Sequence, residues 1–160
     1  MPATDVLRAL TTEAYLRDGM SELPDVSVKS VQQQRSETTV ENTLHLLFRG
    51  SLPSIVTTIV APDKLGWIEQ THITLSDASA RFTISPTNYS KYFRCSGTWT
   101  IVASTGSGGG SRRIIEGSMK VTSPLPFVNG QAERAIVSGL RERLEKEPQI
   151  VETWLKLNPA

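Results

Sequence analysis

From about Gln131 to Leu157 the sequence holds one uninterrupted stretch with the period of a single long helix, and this stretch limits what the other residues can build. At about 100° of turn per residue, Ile136, Leu140, Leu144, Val151, Trp154 and Leu155 fall on one side. Glu142 with Lys146 and Glu152 with Lys156 form acid-first pairs four apart, the order that suits a solvated face. About 27 residues at about 1.5 Å each make a rod of about 40 Å, enough to cross a whole small sheet. An apolar side of that length needs a sheet to cover it.

The residues ahead of the helix supply that sheet. Thr4 or Asp5 can cap a helix, and Val6, Leu7, Leu10 and Ala14 recur at helical spacing until Gly19, so one or two short helices should open the chain and stop at Leu23 and Pro24. Val26 to Gln33 reads as extended, with Val26 and Val28 on one face before Val31 shifts phase. Thr39 to Phe48 alternates cleanly: Val40, Leu44, Leu46 and Phe48 face one way with Asn42 among them, while Glu41, Thr43 and His45 face the other. Pro53 to Val60 predicts a short apolar helix. Strands then follow over Gly66 to Leu75, Ala80 to Ser85, Phe93 to Ala103 and Arg113 to Val121, with the glycine-rich stretch Thr105 to Ser111 as a hairpin connection. Pro124 and Pro126 should end the sheet, with Asn129 or Gly130 starting the helix. The expected fold class is α+β: short helices, a meander of about six antiparallel strands, then one long helix.

Charge and cysteine content narrow the function classes. Lys plus Arg number 17 and Asp plus Glu 16, so no broad positive field exists to neutralise phosphates. Nucleic acid is not an expected partner, and contact with a membrane should be transient at most. The one cysteine, Cys95, cannot close an internal disulfide, and neither a secretory signal nor an apolar stretch of bilayer length is visible; the expectation is a cytoplasmic protein. At 160 residues, a single domain over 1–160 is expected, because a chain of this size buries roughly 68–70% of its unfolded surface.

The order of elements resembles the helix-grip superfamily (SRPBCC), as do the opening Ala3-Thr4-Asp5-Val6-Leu7-Arg8-Ala9-Leu10, the Pro124-Leu125-Pro126-Phe127-Val128 before the helix, and its ending Val151-Glu152-Thr153-Trp154-Leu155. That superfamily holds the START lipid-transfer domains, polyketide cyclases and pollen-allergen-like proteins, and the likeness is nearest to a bacterial branch known as a domain of unknown function. The resemblance implies a hydrophobic cavity between sheet and long helix that takes lipids, sterols or polyketides. Such domains usually begin with a strand before the first helix, and here only Met1 to Ala3 precede it. The segments Val26 to Gln33 and Arg113 to Val121 should then be open sheet edges, filled by residues upstream of Met1 or by a second copy in a homodimer.

The candidate ligand-binding set is Trp67, Glu69, Ile73, Phe82, Phe93, Cys95, Trp99 and Met119 on the strands, with Ile136, Leu140 and Arg143 on the helix. Its apolar members suit a cavity wall or a filled core equally. Glu69 shares a strand face with Trp67 and Ile73, where a carboxylate is costly unless paired or protonated. Arg143 and Glu147 sit near the middle of the helix stripe, where an even helix would aim them at a cavity mouth, but Pro148 should kink the helix, shift the phase and return both to solvent. His45 and His72 lie on polar strand faces without a second ligand at metal spacing, so neither a metal nor a cofactor is expected. Arg112 and Arg113 read as a small surface patch, and Cys95 as a packed thiol. The function expected first is noncatalytic carriage of a hydrophobic small molecule. A cyclase-type enzyme using Glu69 or His72 as acid or base is the alternative, and an interaction module with a filled core is the third.

Overall fold

Residue alternation along six strands decides which side chains meet the long helix. In the computed structural model, which describes residues 1–23, 25–51, 54–57, 61–88, 91–104, 110–122 and 126–159, the strands are β1 (Val26–Arg35), β2 (Thr39–Phe48), β3 (Gly66–Thr74), β4 (Ser79–Pro86), β5 (Phe93–Ala103) and β6 (Ser111–Val121). They pair in chain order as one antiparallel sheet that is not closed, so β1 and β6 are its two edges. Helix α1 (Ala3–Leu10), a π-helical turn at Tyr15–Gly19 and a 3-10 turn at Met20–Glu22 precede the sheet. A short helix α2 (Ser54–Thr57) lies between β2 and β3, and the long helix α3 (Pro126–Leu157) ends the chain. This is the expected α+β arrangement. Pro53 and 58–60 of the expected short apolar helix, 105–109 of the glycine-rich connection, and Pro24 and Pro124 fall outside the described residues.

The strand registers line up the inner face in rows. One row runs Arg35, Val40, Ile73, Ala80, Trp99, Ile115; the next Gln33, Asn42, Thr71, Phe82, Gly97, Gly117; a third Val31, Leu44, Glu69, Ile84, Cys95, Met119. The phase shift between Val28 and Val31 is a real irregularity, with the register slipping between Val28 and Ser30 so that both valines face inward. Gly97 and Gly117 stand opposite each other because Phe82 lies across them: a Cβ on Gly97 would sit 2.7 Å from Phe82 Cζ and 2.8 Å from Gly117 Cα.

The N-terminal segment fills one end of this face. Ala9, Leu10, Tyr15, Leu16, Met20 and Leu23 are buried with Val40, Leu44, Leu46, Ile73, Ala80, Trp99 and Ile101 from the sheet and Val151 from α3. Asn42, the polar member of its row, is accounted for by its bonds. Its Nδ2 donates to the Leu10 carbonyl at 3.4 Å, and Gln33 Nε2 donates to both Asn42 Oδ1 (2.8 Å) and the Thr11 carbonyl (3.2 Å). The sheet thereby satisfies carbonyls at the end of α1 that no helical N–H can reach.

Two expectations need correcting. The long helix starts at Pro126, some three residues before Asn129, because a proline in the first turn has no N–H that needs an intrahelical acceptor. It also continues through Pro148, and the stripe Ile136, Leu140, Arg143, Glu147, Val151, Trp154 keeps its phase. Arg143 and Glu147 are therefore not returned to solvent: Glu147 is buried and Arg143 is half-buried.

Candidate functional site

The third inner row puts a carboxylate in the middle of the sheet. Glu69 has Leu44 opposite it on β2 and Ile84 on β4, and one oxygen accepts from Arg143 Nη1 of α3 at 3.4 Å. One helical turn on, Glu147 is ion-paired to Arg113 of β6, which also lies 6.0 Å from the centre of the Trp99 ring. Arg113 points inward because it shares the parity of Ile115 and Met119, so the Arg112–Arg113 pair is not a surface patch: Arg112 is exposed and Arg113 is not. The side chains of all four charged groups are at most 20% exposed. Two acids thus face two bases between sheet and helix.

Tyr15 completes the cluster. It is fully buried, its ring packs edge-on against Trp154 with centroids 5.6 Å apart, and its hydroxyl has no hydrogen-bond partner among the described residues. Gly19 makes room for it, since a Cβ there would fall 2.5 Å from the Tyr15 ring. Burial pushes the Tyr15 hydroxyl far above its ordinary range, and the Glu147 carboxylate adds to this while Arg113 and Arg143 oppose it. Burial by itself would make Arg143 give up its proton more readily, but the Glu69 and Glu147 carboxylates outweigh it and leave the guanidinium more basic than usual. Its Nη2 reaches Met20 Sδ at 3.7 Å, and its Nε has no partner among the described residues.

Beyond Glu69 the inner face is less well covered. Phe82, Ile84, Phe93, Cys95, Met119 and Val121 all stay half-buried, Gly117 is exposed, and Ile136 and Leu140 on the facing helix are also half-buried. The helix is held over this region by Glu133, whose Oε1 accepts from the Val121 N–H at 2.9 Å. The candidate set therefore divides. Ile73 and Trp99 belong to the filled core, Trp67 packs against it, and Glu69 and Arg143 form the ion pair. Phe82, like Trp67, packs against the core, while Phe93, Cys95 and Met119 on the inner face of β5 and β6, and Ile136 and Leu140 on the first half of α3, are half-buried. Burial, reinforced by the Glu69 carboxylate, pushes the Cys95 thiol above its usual range, which suits packing and not nucleophilic attack.

His72 is not part of this site. It lies on the outer face, about half exposed, with Nδ1 3.0 Å from Glu41 Oε1, so of the two acid–base candidates Glu69 alone faces inward. Arg113 and Tyr15 are site residues that sequence reasoning missed, and Glu147, placed on the stripe with Arg143, was not in the candidate set. The parity of β6 carried the signal for Arg113 and the unbroken helix stripe that for Glu147; nothing marked Tyr15 apart from the helical core. Among the described residues, no three His, Cys, Asp or Glu side chains gather to hold a metal ion, and no helix is long and apolar enough to cross a membrane. Two shallow depressions lie elsewhere, one of about 370 Å³ along the flank of α3 and one of about 430 Å³ lined by His72, Arg81 and Thr98.

Comparison with known proteins adds a family without an activity. No curated protein matches the sequence. A family model described as "Protein of unknown function (DUF2505)" matches residues 1–155, nearly the whole chain, and the protein belongs to that family.

Proposed function

We propose that the protein binds and carries a hydrophobic small molecule in the cleft between β4–β6 and the first half of α3, and that its fold is a START-like helix grip. The observation that carries this reading is the contrast across one sheet face. Val40, Ile73, Ala80, Trp99 and Ile101 are buried with the N-terminal segment, whereas Phe93, Cys95, Met119 and Val121 on the same sheet face, and Ile136 and Leu140 on the helix, remain half-buried. Apolar surface left between two rigid elements gains roughly 25 cal/mol per Å² when a ligand covers it. The Glu69–Arg143 pair at the inner end of the cleft supplies polar atoms that could orient such a ligand. An open sheet with a long helix laid across its inner face is compatible with the helix grip.

Native mass spectrometry of protein purified from cells, before and after delipidation, tests the proposal together with thermal melting across a panel of lipids, sterols and aromatic polyketides. A bound species that disappears on delipidation, and a compound class that raises the melting temperature, are expected. No bound species and no shift with any class would end this reading and leave the interaction module with a filled core.

A further inference from the structure

The flank of α3 beside the cleft carries a pattern that ligand carriage does not use. Gly130, Arg134, Val137, Arg141 and Leu144 recur at steps of four, three, four and three, which keeps them along one side of the helix, next to the stripe that faces the sheet. Val137 is 47% exposed and Leu144 36%, while Arg134 and Arg141 are both exposed. Neither arginine has a carboxylate partner among the described residues. Two of the nearby acids are engaged elsewhere, Glu133 accepting from the Val121 N–H and Glu142 paired to Lys146 at 2.6 Å; the third, the exposed Glu145, lies four residues beyond Arg141 and forms no ion pair with it. Arg134 folds back towards Gly130, where a Cβ would lie 3.6 Å from its Nη1, and the two arginines with Ser138 border the 370 Å³ depression.

We propose that this flank is a docking surface for an anionic phospholipid membrane, with Arg134 and Arg141 taking lipid phosphates and Val137 and Leu144 entering the apolar boundary. The argument for this occupant is charge complementarity combined with position. Two unpaired guanidinium groups one repeat apart, with apolar side chains between and beyond them, match a surface that is anionic outside and apolar just beneath. The same first half of the helix carries Ile136 and Leu140 at the cleft, so a molecule leaving the bilayer there would have a short path inward. The near-neutral chain as a whole gives no general attraction to such a surface, so any binding must come from a local patch.

The docking claim is tested without any cleft ligand, so its outcome does not depend on the carrier reading. The full chain is co-sedimented with vesicles of neutral phosphatidylcholine and with vesicles containing about a third anionic phosphatidylglycerol, at low and high salt. Binding should appear on the anionic vesicles and weaken with salt, and Arg134→Glu with Arg141→Glu should weaken it by thirtyfold or more, on the order expected for two basic groups near an anionic surface. Arg134→Lys with Arg141→Lys should keep most of it, and Val137→Asp should lose it. Circular dichroism should be unchanged, since these positions are exposed. Inorganic phosphate that abolishes binding to the anionic vesicles where sodium chloride of the same ionic strength does not would mean a free-phosphate site and overturn the membrane assignment. Equal binding to both vesicle types, binding that survives the double charge reversal, or none at all would overturn it too, the last leaving an acidic protein as the occupant to test.

Discussion

Arg143 Nη1 stands 3.4 Å from Glu69 Oε2, so the middle of the long helix is tied to the centre of the sheet by a pair whose side chains are 15% and 20% exposed. Partly desolvated pairs of this kind are poor sources of net stability but hard to break one side at a time. Glu69→Gln or Arg143→Met alone should each destabilise the fold by about 3 kcal/mol, because each strands one partner away from water. The double variant should recover most of that loss. Urea denaturation of the three variants checks it; a double variant that loses the sum of the two singles would show the groups are not coupled.

Tyr15 offers a separate handle. Its hydroxyl is buried without a partner, so Tyr15→Phe should be neutral or stabilising by up to about 1 kcal/mol at pH 7, unlike most buried substitutions. The pH dependence follows from the direction of the shift. The folded protein holds the phenol proton above the pH at which an unfolded tyrosine, near about 10, releases it. Stability from this group is complete below about pH 10 and falls as pH rises beyond it, because the unfolded chain ionises first. The thiol of Cys95 is raised in the same direction, with burial as the first cause, so Cys95→Ala is the matching control. Denaturation midpoints between pH 8 and 11 should decline less steeply in Tyr15→Phe than in the parent.

How much of this was legible in the sequence depends on the range over which each signal acts. Strand β2 is bounded where its alternation begins and ends, at Thr39 and Phe48, because one buried face imposes period two on every residue. The irregularity in β1 was visible as valines out of phase. The ion pairs were not, since they join residues 74 and 34 positions apart in the chain. Periodicity could place Arg143 and Glu147 on the apolar stripe, but only the tertiary register brings Glu69 and Arg113 beneath them. Pro148 argued for a kink, and the Glu147–Arg113 pair before it and the packing of Trp154 on Tyr15 after it keep the stripe in phase instead. The unpartnered hydroxyl of Tyr15 depends on what fails to surround it, which no local pattern encodes.

Ala78 sits in the β3–β4 connection with φ of 45°, a conformation in which its Cβ crowds the following carbonyl. Its own carbonyl accepts from the Ile101 N–H at 2.9 Å, so the turn is fastened to β5 and cannot relax freely. Ala78→Gly should therefore stabilise the protein by about 0.5–1 kcal/mol, the reverse of the usual glycine effect. Thermal melting decides the sign.

Gly97 should tolerate no side chain. The Cβ of Gly97→Ala would press first on the Glu116 carbonyl oxygen and then on the Phe82 ring and the Gly117 backbone, and the backbone of a paired strand cannot step aside as a flexible side-chain tip can. A loss of about 2 kcal/mol is expected from overpacking of this kind. Pairing it with Phe82→Leu should return part of the loss by freeing the space over the strand, and would separate the clash with the ring from the clash with the backbone.

The cleft makes its own prediction through Ile136. That side chain is half-buried on the apolar stripe of α3, as Cys95 and Met119 are on the inner sheet face, so in the carrier reading it contacts the ligand while contributing modestly to the core. Ile136→Glu would place a carboxylate where an apolar ligand has to displace its water, and the penalty for leaving a charge unpaired there exceeds what one lost methylene contact would cost. Affinity for a neutral hydrophobic dye, followed by its fluorescence, should fall tenfold or more, with the melting temperature nearly unchanged. Leu157→Glu, at a position 77% exposed near the far end of the same helix, should leave both quantities where they were. Equal dye binding in Ile136→Glu and the parent would place the apolar site somewhere other than beneath the first half of α3.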